Sequence, residues 1–444
     1  MRIQLSDHFT YSRLLRFVFP SIMMMIFTSI YSVVDGLFVS NLVGKTPFAA
    51  VNLIWPYVMG LAALGFMIGS GGTALISRSL GEGKKNRANE EFSLLVYTTI
   101  LLGILFTIIG FVTLRPVARL LGAEGKMLEQ AVIYGRIVLL ALTPFMLQLS
   151  FQNFFITAEK PTLGLISTVV AGITNMVMDC VLIGGFHWGI EGAAAATALS
   201  MAVGGIIPIL YFSRRNNSLL RLSKTHFDRR TLFCTCTNGA SELMTNLSLS
   251  VVNILYNIQL LKLEGENGVA AYGVIMYANF IFVAIFIGYS IGSAPLVGYH
   301  FGANNTDELK NLFRKSLTLL SLFGAVMLVL GVTMAPMLCR LFVSYDAQLL
   351  ALATRGFRIY SLAFLIMGVN IFSSAFFTAL SNGLVSAIIS FLRILLFQVA
   401  AIMVLPRLLG NADGVWFSIV AAELLALAVS AWFFVTRRNQ YHYA

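Results

Sequence analysis

The chain repeats itself. Displaced by 221 residues without a gap, it coincides with itself at Gly44/Gly265, Gly71/Gly292, Gly81/Gly302, Gly103/Gly324, Arg119/Arg340, Gly135/Gly356 and Thr157/Thr378, among other positions. That offset is almost half of 444 residues, so two copies of one unit fill the chain. The duplicated unit is also very apolar: 58% of the residues are hydrophobic and 11% charged, against about 45–50% and about 25% in a soluble domain. Charge this sparse cannot cover a water-soluble globule of this size, so lipid must solvate most of the surface. An internal repeat in such a chain points to a transporter.

Twelve apolar stretches are expected to span the bilayer, near 16–40, 51–76, 93–114, 132–157, 162–186, 193–213, 232–261, 269–298, 314–338, 353–378, 384–406 and 414–435. Each is about 20–30 residues long, enough to cross a hydrocarbon core of about 30 Å. The expected fold is therefore an all-α polytopic membrane protein with twelve transmembrane helices. The least regular stretch is 232–261, which carries Thr235, Thr237, Asn238, Ser241 and Glu242. Six spans per unit return the chain to its starting side, so the repeats are parallel, related by an axis along the membrane normal. This divides the chain into a first lobe, 1–213, a polar basic linker, 214–231, and a second lobe, 232–444. The default substrate site is a cleft between the lobes.

The net charge of +11 is a matter of topology. Twelve spans leave both termini on one side. That side, with the linker, holds nineteen basic residues, Arg2 and Arg215 among them, against seven in the opposite loops. The positive-inside rule puts both termini and the linker in the cytoplasm, with the chain in the cell (inner) membrane. Nucleic acid is not an expected partner. The four cysteines form no metal-binding pattern, since Cys234 and Cys236 are too close for a usual zinc pair. The opening MRIQLSDHFTYSRLLRF is polar and lacks an early cleavage site; most of it is expected to form a short amphipathic helix on the membrane surface. The glycine-rich IGSGGTAL at 68–75 has no phosphate-loop ending and reads as a site of tight helix packing.

Four acids sit well within spans: Asp35, Asp179, Glu242 and Glu423. A charge there costs several kcal/mol and commonly marks an ion or proton path. The alternative is a structural acid satisfied by a helix end or by an arginine; Arg358 and Arg393 fall inside spans and are candidates, unless they snorkel to an interface. Asn175 precedes Asp179 by four residues, which stacks both side chains on one helix face. A carboxylate beside a carboxamide can share a proton or hold a small cation such as Na+. Burial disfavours the charged form of a carboxyl, which suits it to load and release a proton. Thr197, Gln152 and Asn153 are expected to complete a polar cluster there, or to serve as ordinary interhelical hydrogen-bonding groups. Pro20 lies about 22 Å before Asp35 along a straight helix and permits a bend. In the second half Glu242 follows Asn238 at the same spacing, and Tyr256 stands where the offset pairs Asp35. Glu242, Glu423, Asn238 and Tyr256 are thus candidates for a second ion or substrate site. Thirty-five phenylalanines and eighteen methionines suit a cleft for flat apolar cations, although most must face lipid. No nucleophile, base and orienting group recur together, so an enzyme is not expected. No cofactor is expected beyond a coupling ion.

Several of these features together resemble the multidrug and toxic compound extrusion (MATE) family. They are the two six-span parallel repeats, Pro20 and Asp35 in span 1, Asn175-x-x-x-Asp179 in span 5, Phe155-Ile156-Thr157-Ala158-Glu159-Lys160-Pro161 after span 4, Gly189-x-x-Gly192-Ala193-Ala194 before span 6, and Gly414-Val415-Trp416 at span 12. The resemblance covers essentially the whole chain and is nearest to the prokaryotic branches. It implies two six-helix bundles forming a V-shaped cleft, and antiport of organic cations against H+ or Na+. It also implies that Asp35 and Asp179 are the coupling carboxylates, surrounded by Asn175, Thr197 and the Gln152/Asn153 region, with Pro20 associated with bending. Relatives often carry a basic residue and a glycine where this chain has Thr157 and Lys160, so that loop departs from the pattern. A monomer is the expected assembly.

Two transporter classes compete. A lipid-linked saccharide flippase of the same superfamily should hold central arginines, and often has fourteen spans. A major-facilitator transporter usually has an Asp-Arg and basic cluster after the glycine between spans 2 and 3, which 81–87 lacks. The intramembrane acids have no acidic partners under the offset: Asp35 faces Tyr256, Asp179 faces Ala400, Glu242 faces Ser21 and Glu423 faces Ala202. The repeat describes a shared scaffold, and the chemistry is expected where the copies differ.

Overall fold

The computed structural model describes residues 3–214, 216–344 and 346–443, so Arg2 and Arg215 of the basic count lie outside the described residues. Among those residues the regular structure is entirely helical. The first half contains α1 (Tyr11–Phe38), α2 (Lys45–Gly81), α3 (Lys85–Leu120), α4 (Gly125–Leu140), α5 (Leu142–Thr157), α6 (Pro161–Met178) and α7 (Gly189–Ser213). The second contains α8 (Arg229–Gly302), α9 (Thr306–Val343), α10 (Ala347–Ser361), α11 (Phe364–Ala379), α12 (Gly383–Ser390), α13 (Gln398–Leu409) and α14 (Asp413–Tyr441).

Nine helical stretches among the described residues are long and apolar enough to cross a membrane. Two bent pairs, α4 with α5 at 59° and α10 with α11 at 53°, each add a span. The 74 residues of α8 would make a rod of about 110 Å if straight, far longer than a bilayer is thick. Gly265, at φ 62° and ψ −146°, folds it into two spans, a conformation a side chain would resist. The result is the expected twelve spans.

The pattern of burial is that of a protein in lipid. On α3, Leu101, Ile104, Leu105, Ile108 and Val112 share one exposed face, while Thr99, Gly103 and Gly110 are buried on the other. Small residues line the inward faces because close backbone approach, with no hydrophobic drive from water, holds membrane helices together.

The duplication is visible in the backbone. The bends of the fourth and tenth spans fall at Ala141 and Leu362, equivalent under the 221-residue offset. So do the left-handed turns at Gly44 and Gly265, and at Gly83 and Asn304. Where α2 and α8 meet, a Cβ on Gly81 would strike the Tyr299 carbonyl and one on Gly302 would strike the Arg78 carbonyl. The offset exchanges these two contacts, so the pseudo-two-fold axis passes between them. Likewise Gly71 packs on Thr235 and Gly239, and Gly292 on Val18 and Ser21. The two six-helix bundles are pressed backbone to backbone at the face where both termini and the linker emerge.

Two connecting segments close this face. The linker lies along the start of α3: the Arg221 and Ser223 amides donate to Asn89 and Ser93 at 2.8 Å each, and the Thr225 hydroxyl donates to the Glu90 carbonyl at 2.9 Å. The segment before α1 departs from expectation. It forms no amphipathic surface helix. Its Leu5 and Phe9 are fully buried, because a pocket between the bundles offers them more cover than the membrane surface would.

Candidate functional site

Asp35 lies near the end of α1, one turn before a π-helical turn, Val39–Val43. Asp179 opens a second π-helical turn, Asp179–Gly185, which ends α6 and its span. A π turn takes one extra residue, redirects the side chains around it and recurs at functional sites. Here it turns the fully buried Asp179 toward α1. Asn175, one turn earlier on α6, donates from Nδ2 to Asp35 Oδ1 at 3.5 Å. Asp35 and Asp179 are thus neighbours across the contact between α1 and α6, close enough for each to feel the other's charge. Neither forms an ion pair with a basic residue among the described residues, and both Asp179 oxygens and Asn175 Oδ1 are buried without a donor. Three buried oxygens one helical turn apart on α6 and its π-helical turn thus lack a donor. That set can take a proton or a small hard cation.

Thr197 on α7 donates to the Ala193 carbonyl at 3.0 Å and lies beside Tyr134 of α4, which is buried in the same neighbourhood as both acids. Tyr31 stands next to Asp35. The sequence reading missed both tyrosines. Tyr31 had a signal, since it lies four residues before Asp35 on the same helix face. Tyr134 had none, because only packing brings α4 to this point.

Gln152 and Asn153 are elsewhere. They lie on α5, beyond the bend at Ala141, about 27 Å from Tyr134 along the helical path. Asn153 faces Gly69 of α2, and the Gln152 amide oxygen is buried without a donor. The expected single cluster is therefore not assembled around them: they lie near the opposite end of the fourth span from Tyr134. Pro20 is inside α1, between Val18 and Ser21 that pack on Gly292. It belongs to the contact between bundles, well away from the acid pair.

The second-half candidates separate into two places. Glu423 is fully enclosed. Arg393 Nη2 lies 2.8 Å from its Oε1, Arg393 Nε donates to both oxygens at 2.9 and 3.1 Å, and Asn370 Nδ2 donates to Oε2 at 2.7 Å. Arg393 itself sits on a third π-helical turn, Phe391–Phe397. Tyr256 adjoins this network; its hydroxyl is buried without a partner and its ring stacks on Tyr272 at 5.0 Å. Glu242 lies about 21 Å away along the first span of α8. Its backbone carbonyl accepts from Asn246 at 2.8 Å, and its carboxyl has no partner among the described residues. Asn238 accepts from the Gly383 amide at 3.1 Å and so holds the start of α12. Arg358, the other arginine inside a span, is exposed and donates to the Val332 carbonyl at 3.4 Å.

Comparison with known proteins places this arrangement among relatives. The MatE family model matches residues 20–181 and again 243–403, one match per repeat. The multidrug export protein MepA of Staphylococcus haemolyticus is 25% identical over 97% of this chain and 94% of its own length. That of Staphylococcus saprophyticus is 24% identical over 94% and 91%. Among solved structures, the outward-facing conformation of a multidrug resistance MATE family transporter of the MOP superfamily aligns with a TM-score of 0.92, covering 98% of both chains at 22% identity. A MATE crystal structure in complex with MaL6 aligns with a TM-score of 0.91 over 98% of both chains, also at 22% identity. These likenesses carry the fold: twelve helices in two six-helix bundles.

Proposed function

The chain belongs to the MatE family, and from that premise we propose that it is a secondary antiporter exporting amphipathic, cationic organic compounds in exchange for H+ or Na+ by alternating access. It works as a monomer in the cell (inner) membrane, with both termini in the cytoplasm. The observation that carries this reading is the facing pair Asp35 and Asp179 with no basic partner. Two unit negative charges that come within about 4 Å repel by about 4 kcal/mol even at an effective dielectric constant of 20, so neighbouring carboxylates with no basic partner are expected to hold a positive charge for most of the cycle. The donor-free oxygens of Asp179 and Asn175 suit either coupling ion.

In the proposed cycle an ion entering from outside neutralises the pair, the first bundle repacks around α1, and the exported compound leaves. Rocking of the bundles then releases the ion inside. One elementary charge crossing about 100 mV supplies about 2.3 kcal/mol, which sustains a gradient of roughly fortyfold at about 1.4 kcal/mol per decade. The relatives named for multidrug export support the substrate class. The cation-paired Glu423 takes no part in coupling here; it is held by Arg393 and Asn370.

The test is export of a fluorescent organic cation from energised vesicles containing the full chain, in sodium-free buffer over a range of pH and then with sodium added. Export that follows the proton or sodium gradient, and is lost in Asp179→Asn, is expected. Gradient-driven export that survives in both Asp35→Asn and Asp179→Asn refutes the reading.

A further inference from the structure

The segment before α1 runs from one bundle to the other. The Leu5 amide donates to the carboxylate of Glu159 at 2.7 Å, in the turn between α5 and α6 of the first bundle. Four residues on, the Phe9 amide donates to Glu308 Oε1 at 2.8 Å, in the first turn of α9 in the second bundle. His8 Nδ1 lies 2.6 Å from the other Glu308 oxygen. Asn311 Nδ2 and Lys315 Nζ both donate to the Phe9 carbonyl, at 2.9 and 2.6 Å. Between these anchors Leu5 and Phe9 are fully buried, and the Phe9 ring meets Phe17 and the buried His300 edge-on. Glu308 is itself oriented by Asn311 at 2.7 Å, and its amide is held by Asn305 at 3.1 Å.

We propose that residues 5–9 are a latch that ties the two bundles together at the terminus-bearing face, and that one anchor must release before that face opens. The geometry leaves little slack. Five residues reach at most about 17 Å when fully extended, and Phe9 passes directly into α1. The Phe9 ring meets His300, next to Tyr299 of the seam where Gly81 meets Tyr299 and Gly302 meets Arg78, so parting the bundles there pulls Glu159 and Glu308 apart. Both anchors are carboxylates receiving backbone N–H groups. Such charge-assisted bonds are stronger than neutral ones. The latch rests on the alternating-access reading only in that the bundles part here.

The test measures distance rather than flux. In a full-length chain with its four cysteines replaced by alanine, spin labels are placed at Lys85→Cys and Thr306→Cys. These exposed positions begin α3 and α9, one in each bundle just after the seam helices, and are equivalent under the 221-residue offset. Glu308→Ala and Glu159→Ala each remove one anchor; Glu90→Ala removes a half-exposed acid on the same face outside the latch. Each anchor variant is expected to raise the ratio of long to short distances about tenfold, the effect of losing one charge-assisted hydrogen bond, while Glu90→Ala leaves it unchanged. Unchanged distances in both anchor variants, with the protein monodisperse in detergent, overturn the latch. Two anchors on different helices keep the test available when one variant fails to fold. A chain whose distances respond but which exports nothing counts against the antiport reading and leaves the latch standing.

Discussion

Arg393→Met isolates the role of the buried pair in the second bundle. The Glu423 side chain is 0% exposed and that of Arg393 13% exposed, and three nitrogen–oxygen contacts between 2.8 and 3.1 Å join them. Methionine keeps most of the apolar stem of arginine and deletes the charge, which leaves the Glu423 carboxylate with only the Asn370 bond at 2.7 Å. Stranding one member of a buried pair costs about 3–5 kcal/mol, and the remaining Asn370 bond places the expected loss near the lower end, about 3 kcal/mol. Glu423→Gln strands Arg393 instead. Because Arg393 retains some access to the surface, its loss should be about 2 kcal/mol. The double variant Arg393→Met/Glu423→Gln removes both charges and should lose no more than about 1 kcal/mol, since a buried pair replaced as a whole is close to neutral. The coupling energy across the cycle is then about 4–5 kcal/mol, above the usual upper end for contacting residues. Reversible unfolding of all four proteins in mixed micelles measures it. If Arg393→Met costs less than about 1 kcal/mol, or if the double variant is as unstable as the sum of the single ones, the pair is not the dry, mutually dependent interaction described here. Export by the double variant adds a second readout: a structural pair predicts transport near the wild-type rate, whereas a second coupling site predicts its loss.

Asp35→Asn and Asp179→Asn should each lower gradient-driven export at least tenfold while unfolding like the wild type, because each removes a charge that has no basic partner; vesicle export and micelle unfolding measured together check this. Gly302→Leu should cost about 1–3 kcal/mol of stability and lengthen the Lys85→Cys/Thr306→Cys distance, since a side chain there meets the Arg78 carbonyl. Gly265→Val should cost about 1–3 kcal/mol from backbone strain alone, because nothing lies within 4 Å of the added Cβ; a loss no greater than that of an ordinary surface substitution in the same unfolding assay refutes the left-handed turn. Asp228→Ala should weaken the start of α8 by about 1 kcal/mol, through loss of its bonds to the Arg230 amide at 2.9 Å and the Thr231 hydroxyl at 2.7 Å. The Thr231 hydroxyl and the neighbouring amides hold Asp228 below the usual carboxylate range, so its contribution is present at neutral pH and fades as the pH falls through that lowered value. Unfolding at pH 7 and at acidic pH checks the sign.

Much of the site was legible because its parts are local. Asn175 and Asp179 are one helical turn apart, and their common face follows from helix geometry. Asp35 stood out because a lone acid in an apolar span demands a reason. Gln152 and Asn153 misled for a matching reason: they are polar and lie in a span, but near its opposite end from the residues that meet the acids, and polarity alone does not say at what depth a group sits. Glu423 drew the same suspicion as Asp35, and only the placement of Arg393, thirty residues away in sequence, separates a satisfied acid from one with no counter-charge. The opening segment read as a short surface helix from its polar composition beside the first span; the seam that accepts Leu5 and Phe9 exists only after both bundles are in place.

The sequence by itself determined the solvent, the span count and the duplication. These depend on averages over about 20 residues or on identity at a constant offset, and no tertiary contact can reverse them. The tertiary structure decided which polar groups meet. Spans that are 140 residues apart, such as those of Asp35 and Asn175, are brought together by glycine contacts, bends and π-helical turns of one or a few residues. A shift of one residue rotates a side chain by about 100° around a helix, which is enough to decide whether an acid faces a partner acid, an arginine or the lipid.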